Sequence, residues 1–147
     1  MVTGIRVATV EDLPAVLEMG HHFYAQTDYH KWVREDPKFF ASMCSMLFEQ
    51  GRIFVADRGG ELVGFLAALV FVHPFMNQKM VTEIMWWVEP AHRGGTSAIR
   101  LLRATEAWGR ECGAEAIQMG AWIGAHLDPL YERMGFEARE TMFQKAL

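Results

Sequence analysis

The sequence predicts a single α+β (mixed α/β) domain spanning residues 1–147, and three observations carry that prediction. Short apolar runs of strand length alternate with segments whose apolar residues recur every three to four positions. Glycine, proline and polar clusters punctuate nearly every change of period. At 147 residues, with 51% hydrophobic and no linker or repeat, the chain has the size and composition of one buried core.

The elements follow in order. "GIRVATV" reads as a first strand, and Thr9 can cap a helix through "VEDLPAVLEMGHHFY", with Glu11 and Asp12 in its first turn and Pro14 near its start. Leu13, Val16, Leu17 and Gly20 or His21 give that helix an apolar stripe. Pro37 opens a second helix, "PKFFASMCSMLFEQ", which Gly51 ends. "RIFVAD" and "ELVGFLAALVFV" are strands, with "RGG" as the hairpin turn between them. "MVTEIMWWVEP" is apolar on both pleat faces, which places it in the middle of the sheet.

Ala98, Leu101, Leu102, Thr105, Trp108 and Cys112 then fall at helical spacing opposite Arg100, Arg103, Glu106 and Arg110, an amphipathic helix laid on a sheet and ended by Gly113. "EAIQMGAWI" reads as a strand, Asp128 and Pro129 as the cap and first residue of the short helix "PLYERM", and "FEARETMFQKAL" as a closing strand. The order is therefore βααβββαβαβ.

Composition excludes several function classes. A net charge of −4 provides no basic field for nucleic acid. The longest apolar run, Leu62 to Val72, is too short to cross a bilayer, and "MVTGIRVATVEDL" carries charges too early and too often for a signal peptide. Cys44 and Cys112 show no ligand spacing and suit a reducing compartment, so a cytoplasmic location is expected. The six histidines lack metal-ligand spacing, and no metal site is expected.

The junction "HRGGTSAIRLL" carries the chemistry. A glycine-rich turn from an interior strand into a helix presents free backbone N–H groups at the positive end of the helix dipole, an arrangement that binds phosphate. It has neither the Lys-Ser/Thr pair of a P-loop nor the GxGxxG spacing of a dinucleotide fold.

With that loop, the sequence resembles the GNAT (Gcn5-related N-acetyltransferase) superfamily over nearly its whole length. "RGGTSA" resembles the family's Arg/Gln-x-x-Gly-x-Gly/Ala phosphate loop, with Thr96 where glycine is usual. "LYERMGF" resembles the family's C-terminal tyrosine-glycine-phenylalanine run, and "DRGGELVGFLAA" its hairpin between the second and third strands. The resemblance implies a mostly antiparallel twisted sheet of six to seven strands, splayed between the fourth and fifth and flanked by about four helices.

It also implies acetyl-coenzyme A as cosubstrate, held by Arg93, Gly94, Gly95, Thr96, Ser97 and Ala98, with pantetheine along Trp87 and Val88. Gly124 stands where family members often place an asparagine that contacts pantetheine. The implied acceptor is a small-molecule or peptide amine, the chain being compatible with a homodimer and having no nucleic-acid or membrane partner. The pocket-forming segment of the family corresponds here to the stretch holding His21, His22, Tyr24, Tyr29, His30 and Trp32, with Trp86 on the facing strand.

Two residues are candidates for catalysis. An alkyl ammonium with a pKa near that of lysine, about 10.4, needs a base before it can attack a thioester. Glu83, the only charge among Val81, Ile84, Met85, Trp86 and Trp87, is placed where desolvation raises its pKa; the alternatives are a Lys or Arg partner or a wet strand end. Tyr131 is placed to donate a hydrogen bond, and finally a proton, to the departing thiolate; its alternative is packing. A backbone N–H near Trp87 or Val88 is a potential oxyanion donor. The chain is therefore expected to be an N-acetyltransferase acting by direct attack in a ternary complex, or else an acyl-coenzyme A sensor with the same fold.

Overall fold

The computed structural model describes residues 2–147. Strand β1 (Gly4–Val7) leads through a 3-10 turn (Val10–Asp12) into helix α1 (Leu13–Gln26), followed by the one-turn helix α2 (Tyr29–Trp32) and helix α3 (Pro37–Gln50). Strands β2 (Gly51–Arg58), β3 (Glu61–Val72) and β4 (Lys79–Val88) come next. Helix α4 (Ser97–Glu111), the short strand β5 (Ala116–Gln118) and helix α5 (Asp128–Arg133) complete the order.

The described residues form one sheet, in the order β1-β2-β3-β4-β5; β1 to β4 are antiparallel and β5 runs parallel to β4. The β2–β3 hairpin closes on Gly59 and Gly60, both at positive φ (66° and 99°), and the Asp57 carboxylate accepts the Gly60 N–H at 2.7 Å. Pro37 starts α3 as expected, and Asp36 caps it by accepting the Phe39 N–H at 3.0 Å. Thr9 initiates a 3-10 turn ahead of α1, its N–H bonded to Asp12 at 2.8 Å, so the α-helix begins only at Leu13. Helix α5 starts at Asp128 itself, one residue before the expected position.

Strand alternation divides the core between two faces. Ile53, Val55, Phe65, Ala67 and Trp87 pack under α1 and α3, with Val16, Met19, Cys44 and Leu47. Phe54, Ala56, Leu66, Ala68 and Val81 pack under α4, with Leu101, Leu102 and Trp108. Burying both faces explains why β3 and β4 read as continuous apolar runs. The centre of the sheet is β3, however, whereas β4 is one strand from the edge.

Among the described residues five strands form rather than six or seven. Parallel pairing of β4 with β5 runs only from Met80↔Ala116 to Thr82↔Gln118. Beyond it β4 carries an extra residue, Ile84, because Ala67 faces Met85 while Ala68 faces Glu83. This bulge turns the strand, and the Glu83 carboxylate takes the Gly120 N–H at 2.9 Å in place of a ladder bond. The expected splay thus lies between β4 and β5 and leaves the second half of β4 unpaired on that side. The expected strand over "FEARETMFQKAL" does not form. Its apolar alternation stops at Ala138, and the adjacent Met142 and Phe143, 89% and 93% exposed, cannot share one pleat face.

Candidate active site

A cleft of about 330 Å³ opens where β4 and β5 diverge. Its floor is the unpaired half of β4, from Glu83 to Val88; α1 contributes Phe23 and Gln26, and Thr27 and Tyr29 follow from the turn into α2. Gly120, Trp122 and Leu130 close the side beyond β5, and Arg93 and Ala98 form the end nearest α4.

Glu83 retains some accessible area, but protein surrounds its carboxyl, and that desolvation raises its pKa above the ordinary carboxylate value. The Gly120 N–H opposes the shift by bonding Oε2, which leaves Oε1 as the uncommitted oxygen. Among the described residues no lysine or arginine pairs with it. Of the alternatives open for Glu83, the ion pair is therefore absent.

Tyr131 lies across the same divergence. Its hydroxyl donates to the Gly120 carbonyl at 2.7 Å, so one peptide position joins both candidate residues, N–H to Glu83 and C=O to Tyr131. The Tyr131 ring packs on Trp86 and Phe136, with centroids 6.0 and 5.3 Å away. Burial, and then the Glu83 charge, push its pKa well above that of a free phenol. The hydroxyl therefore remains a donor throughout the neutral range.

The strand edge supplies further donors. Glu89 N–H bonds Val63 C=O on β3, so by ladder alternation Trp86 and Val88 turn their polar groups toward the cleft. The Val88 carbonyl accordingly accepts Arg93 Nε at 2.8 Å, and the Arg93 guanidinium lies 4.4 Å above the Trp87 ring. Of the two backbone donors expected here, Val88 N–H faces the open side, whereas Trp87 N–H faces β3.

At the start of α4, the N–H groups of Gly94, Gly95, Thr96, Ser97, Ala98 and Ile99 donate to no group among the described residues. Gly94 alone needs a left-handed conformation, at φ +87°, while Thr96 sits comfortably at φ −102°. A Cβ at Gly94 or Gly95 would meet nothing within 4 Å, so the loop faces open space. Thr96 therefore does not distort the turn. Gly124 adopts φ +97°, and a Cβ there would come within 3.0 Å of the Trp122 side chain, so a side chain at this position would be strained in this loop conformation.

The expected acceptor wall is only partly assembled. Tyr29 and Trp86 line the cleft; His21, His22 and Tyr24 do not. These three sit on other faces of α1, since successive helical residues turn by about 100°. His21 Nδ1 lies 2.7 Å from Glu35, His22 Nδ1 lies 2.6 Å from Glu89, and the Tyr24 hydroxyl donates to the Val33 carbonyl at 3.0 Å. His30 is bound to the Thr27 carbonyl, and the Trp32 ring packs at a tilt of 52° against Tyr29, with centroids 5.3 Å apart.

Phe23, Gln26 and Trp122 line the cleft and were not anticipated. Phe23 continues the Val16–Gly20 stripe of α1 and so reads as core from periodicity. Trp122 falls in a stretch that reads as strand, and only the early end of β5 frees it. Neither thiol reaches the cleft: Cys44 is buried, with its pKa pushed up to about 11 by desolvation, and Cys112 lies at the far end of α4. No group of His, Cys, Asp and Glu suited to a metal occurs among the described residues, nor any helix long and apolar enough to cross a membrane.

Comparison with known proteins agrees with this architecture. The sequence model of the acetyltransferase (GNAT) family matches residues 14–136. No protein of curated function matches the chain in sequence. Among solved structures, a Trypanosoma brucei acetyltransferase is 20% identical with a TM-score of 0.78, the match covering 99% of this chain and 100% of that one. A ribosomal-protein-alanine N-acetyltransferase from Brucella melitensis biovar Abortus is 19% identical with a TM-score of 0.78, over 100% of both chains. An aminoglycoside acetyltransferase from an uncultured soil metagenomic sample, in complex with sisomicin, is 19% identical with a TM-score of 0.76, over 99% of this chain and 96% of that one. At these identities the likeness is one of fold.

Proposed function

The chain belongs to the GNAT acetyltransferase family, and on that premise we propose that it transfers the acetyl group of acetyl-coenzyme A to a primary amine by direct attack in a ternary complex. The observation that carries the reading is Glu83: a desolvated carboxylate with no cationic partner, at the divergence of β4 and β5, on the floor of the cleft.

The residues present fit the cosubstrate. Six uncommitted amides at the head of α4 suit a pyrophosphate, with Arg93 beside them. The open edge of β4 at Trp86 and Val88 offers alternating donors and acceptors to an extended amide-bearing arm such as pantetheine. Acetyl-coenzyme A supplies the thioester, whose C–S bond breaks as the amine nitrogen bonds the carbonyl carbon, giving an amide and a free thiol.

The chain's own residues divide the remaining work. Glu83 Oε1 accepts a proton from the ammonium, directly or through one water, and so frees the nucleophile. A free N–H of the open β4 edge, that of Trp86 or Val88, polarises the thioester carbonyl as a single oxyanion donor. Tyr131 turns its hydroxyl from the Gly120 carbonyl to the departing sulfur. A thiol has a pKa of about 8.5 and this phenol one well above 10, so the hydroxyl stabilises the thiolate chiefly as a hydrogen-bond donor. As the amide forms, the nitrogen gives up its second proton to solvent, and the thiolate takes one up from solvent, so the net products are amide and thiol.

A sensor with the same fold is the reading that departures from the family's cofactor-binding pattern, at Thr96 and Gly124, would favour, and Thr96 leaves the phosphate loop undistorted. Release of free thiol, measured over a panel of primary amines with acetyl-coenzyme A, tests the reading. Acetylated amine in step with thiol is the expected result. Saturable cofactor binding without turnover of any amine would make the chain a sensor.

A further inference from the structure

The composition of the cleft narrows the acceptor. Among the described residues only two charged side chains line it, Glu83 and Arg93. Arg93 is held at the end nearest α4 by its bond to the Val88 carbonyl and its stacking on Trp87, and it begins the loop of free amides. Five positions of β4 separate Glu83 from Val88, on the order of 15 Å at the rise of a strand. The end at Glu83 therefore has one negative charge and no positive one.

Its walls are aromatic. Phe23 and Tyr29 lie 4.8 Å apart, centroid to centroid, and Trp86, which packs on the α4 side of β4 with Tyr131, lines the cleft opposite them. The Tyr29 hydroxyl pKa is raised by burial and by the Glu83 charge, consistent with its lying on that carboxylate's side of the cleft. An ammonium group beside aromatic faces gains cation–π attraction, and an aromatic body gains stacking area. A volume of about 330 Å³ lies at the small end for ligand pockets, and the acyl-bearing arm must share it.

Two common amine classes fit poorly. The carboxylate of an α-amino acid sits two bonds from its nitrogen, so it cannot reach Arg93 and would lie against Glu83 as a like charge. A polycation would bring further ammonium groups to a wall with no second carboxylate.

We infer that the acceptor is a small arylalkyl monoamine without a carboxylate, a conclusion that rests on the acetyltransferase reading above. Glu83 takes the ammonium, the wall formed by Phe23 and Tyr29 takes the ring, and Trp86 closes the other side.

The test compares kcat/KM of the full chain, with acetyl-coenzyme A, for 2-phenylethylamine and tryptamine against phenylalanine, tryptophan and spermidine. The arylalkylamines are expected to lead by at least about 100-fold, the scale on which unmatched charges discriminate. Amino acids or spermidine turned over within tenfold of the arylalkylamines would overturn the inference while leaving the acetyltransferase reading intact. No turnover of any class, despite saturable cofactor binding, would sink that reading instead. Tyr29→Ala gives an independent readout: KM for tryptamine should rise about tenfold more than KM for ethylamine. An equal rise for both amines would remove the aromatic wall from the argument.

Discussion

Replacing Glu83 by glutamine separates a catalytic carboxylate from a structural one. The amide oxygen can still accept the Gly120 N–H, now 2.9 Å from Oε2, so the turn after β5 keeps its anchor. What disappears is the basic oxygen. General-base catalysis is worth about 10²–10⁴-fold, so kcat/KM should fall by that factor, equivalent to roughly 2.7–5.5 kcal/mol of transition-state stabilisation. Cofactor affinity should change little, because the α4 amides and Val88 are untouched.

Glu83 also makes a linked claim about stability, whose sign follows from its raised pKa. Between the unfolded value, near 4.5, and the higher folded one, the native state binds more protons than the unfolded chain. Stability contributed by the protonated carboxyl is therefore present at low pH and lost as pH rises through the folded pKa. Above the unfolded value the raised pKa costs the native state stability whichever form it holds, so Glu83→Gln should raise the melting temperature while lowering turnover.

The assay is kcat/KM against pH for both proteins, with thermal unfolding measured in parallel. In the wild type the rate should fall as pH drops below the raised Glu83 pKa, and the variant should lack that limb. Unaltered turnover with the limb still present, or a lower melting temperature, would refute the assignment and return Glu83 to a purely structural role.

Other outcomes follow from the same geometry. Gly95→Pro removes one of the free amides, whereas Gly95→Ala adds a Cβ with nothing within 4 Å; calorimetry should show weaker coenzyme A binding for the first and near-native binding for the second. Tyr131→Phe keeps the ring on Trp86 and Phe136 but loses the donor, so turnover should drop by about tenfold or more, and by less with an acyl donor whose thiol is more acidic. Equal losses for both donors would make the hydroxyl a positioning group. Asp12, bonded to Arg6 at 2.7 and 2.9 Å, has its pKa lowered to about 2. Its contribution is complete above about pH 4 and lost as pH falls toward 2, so acid unfolding of Asp12→Asn should show a shallower pH dependence in that window, with a loss of about 1 kcal/mol at neutral pH because Arg6 is 40% exposed.

Periodicity and turn chemistry settled the elements whose two faces have different fates along their whole length. Helix α4, with its apolar stripe from Leu101 to Trp108, and the hairpin closed by Gly59 and Gly60 are written in residue order, since each needs only local information. The phosphate-type loop was equally readable, because uncommitted amides follow from a glycine turn entering a helix. Glu83 stood out as a charge in an apolar run, and Tyr131 through a family motif.

Tertiary structure decided the rest. Whether "EAIQMGAWI" stays in the sheet depends on a bulge at Ile84 of a different strand and on which acceptor wins the Gly120 N–H, and neither is encoded within the segment. The same holds for "FEARETMFQKAL", whose strand propensity finds no neighbour to pair with. The cleft wall was the least accessible to sequence reasoning. Phe23 and Tyr24 are adjacent and aromatic, yet one turns toward Trp87 and the cleft and the other toward the Val33 carbonyl. Sequence places residues on a helix, but the packing of α1 against β4 chooses which of them the cleft receives.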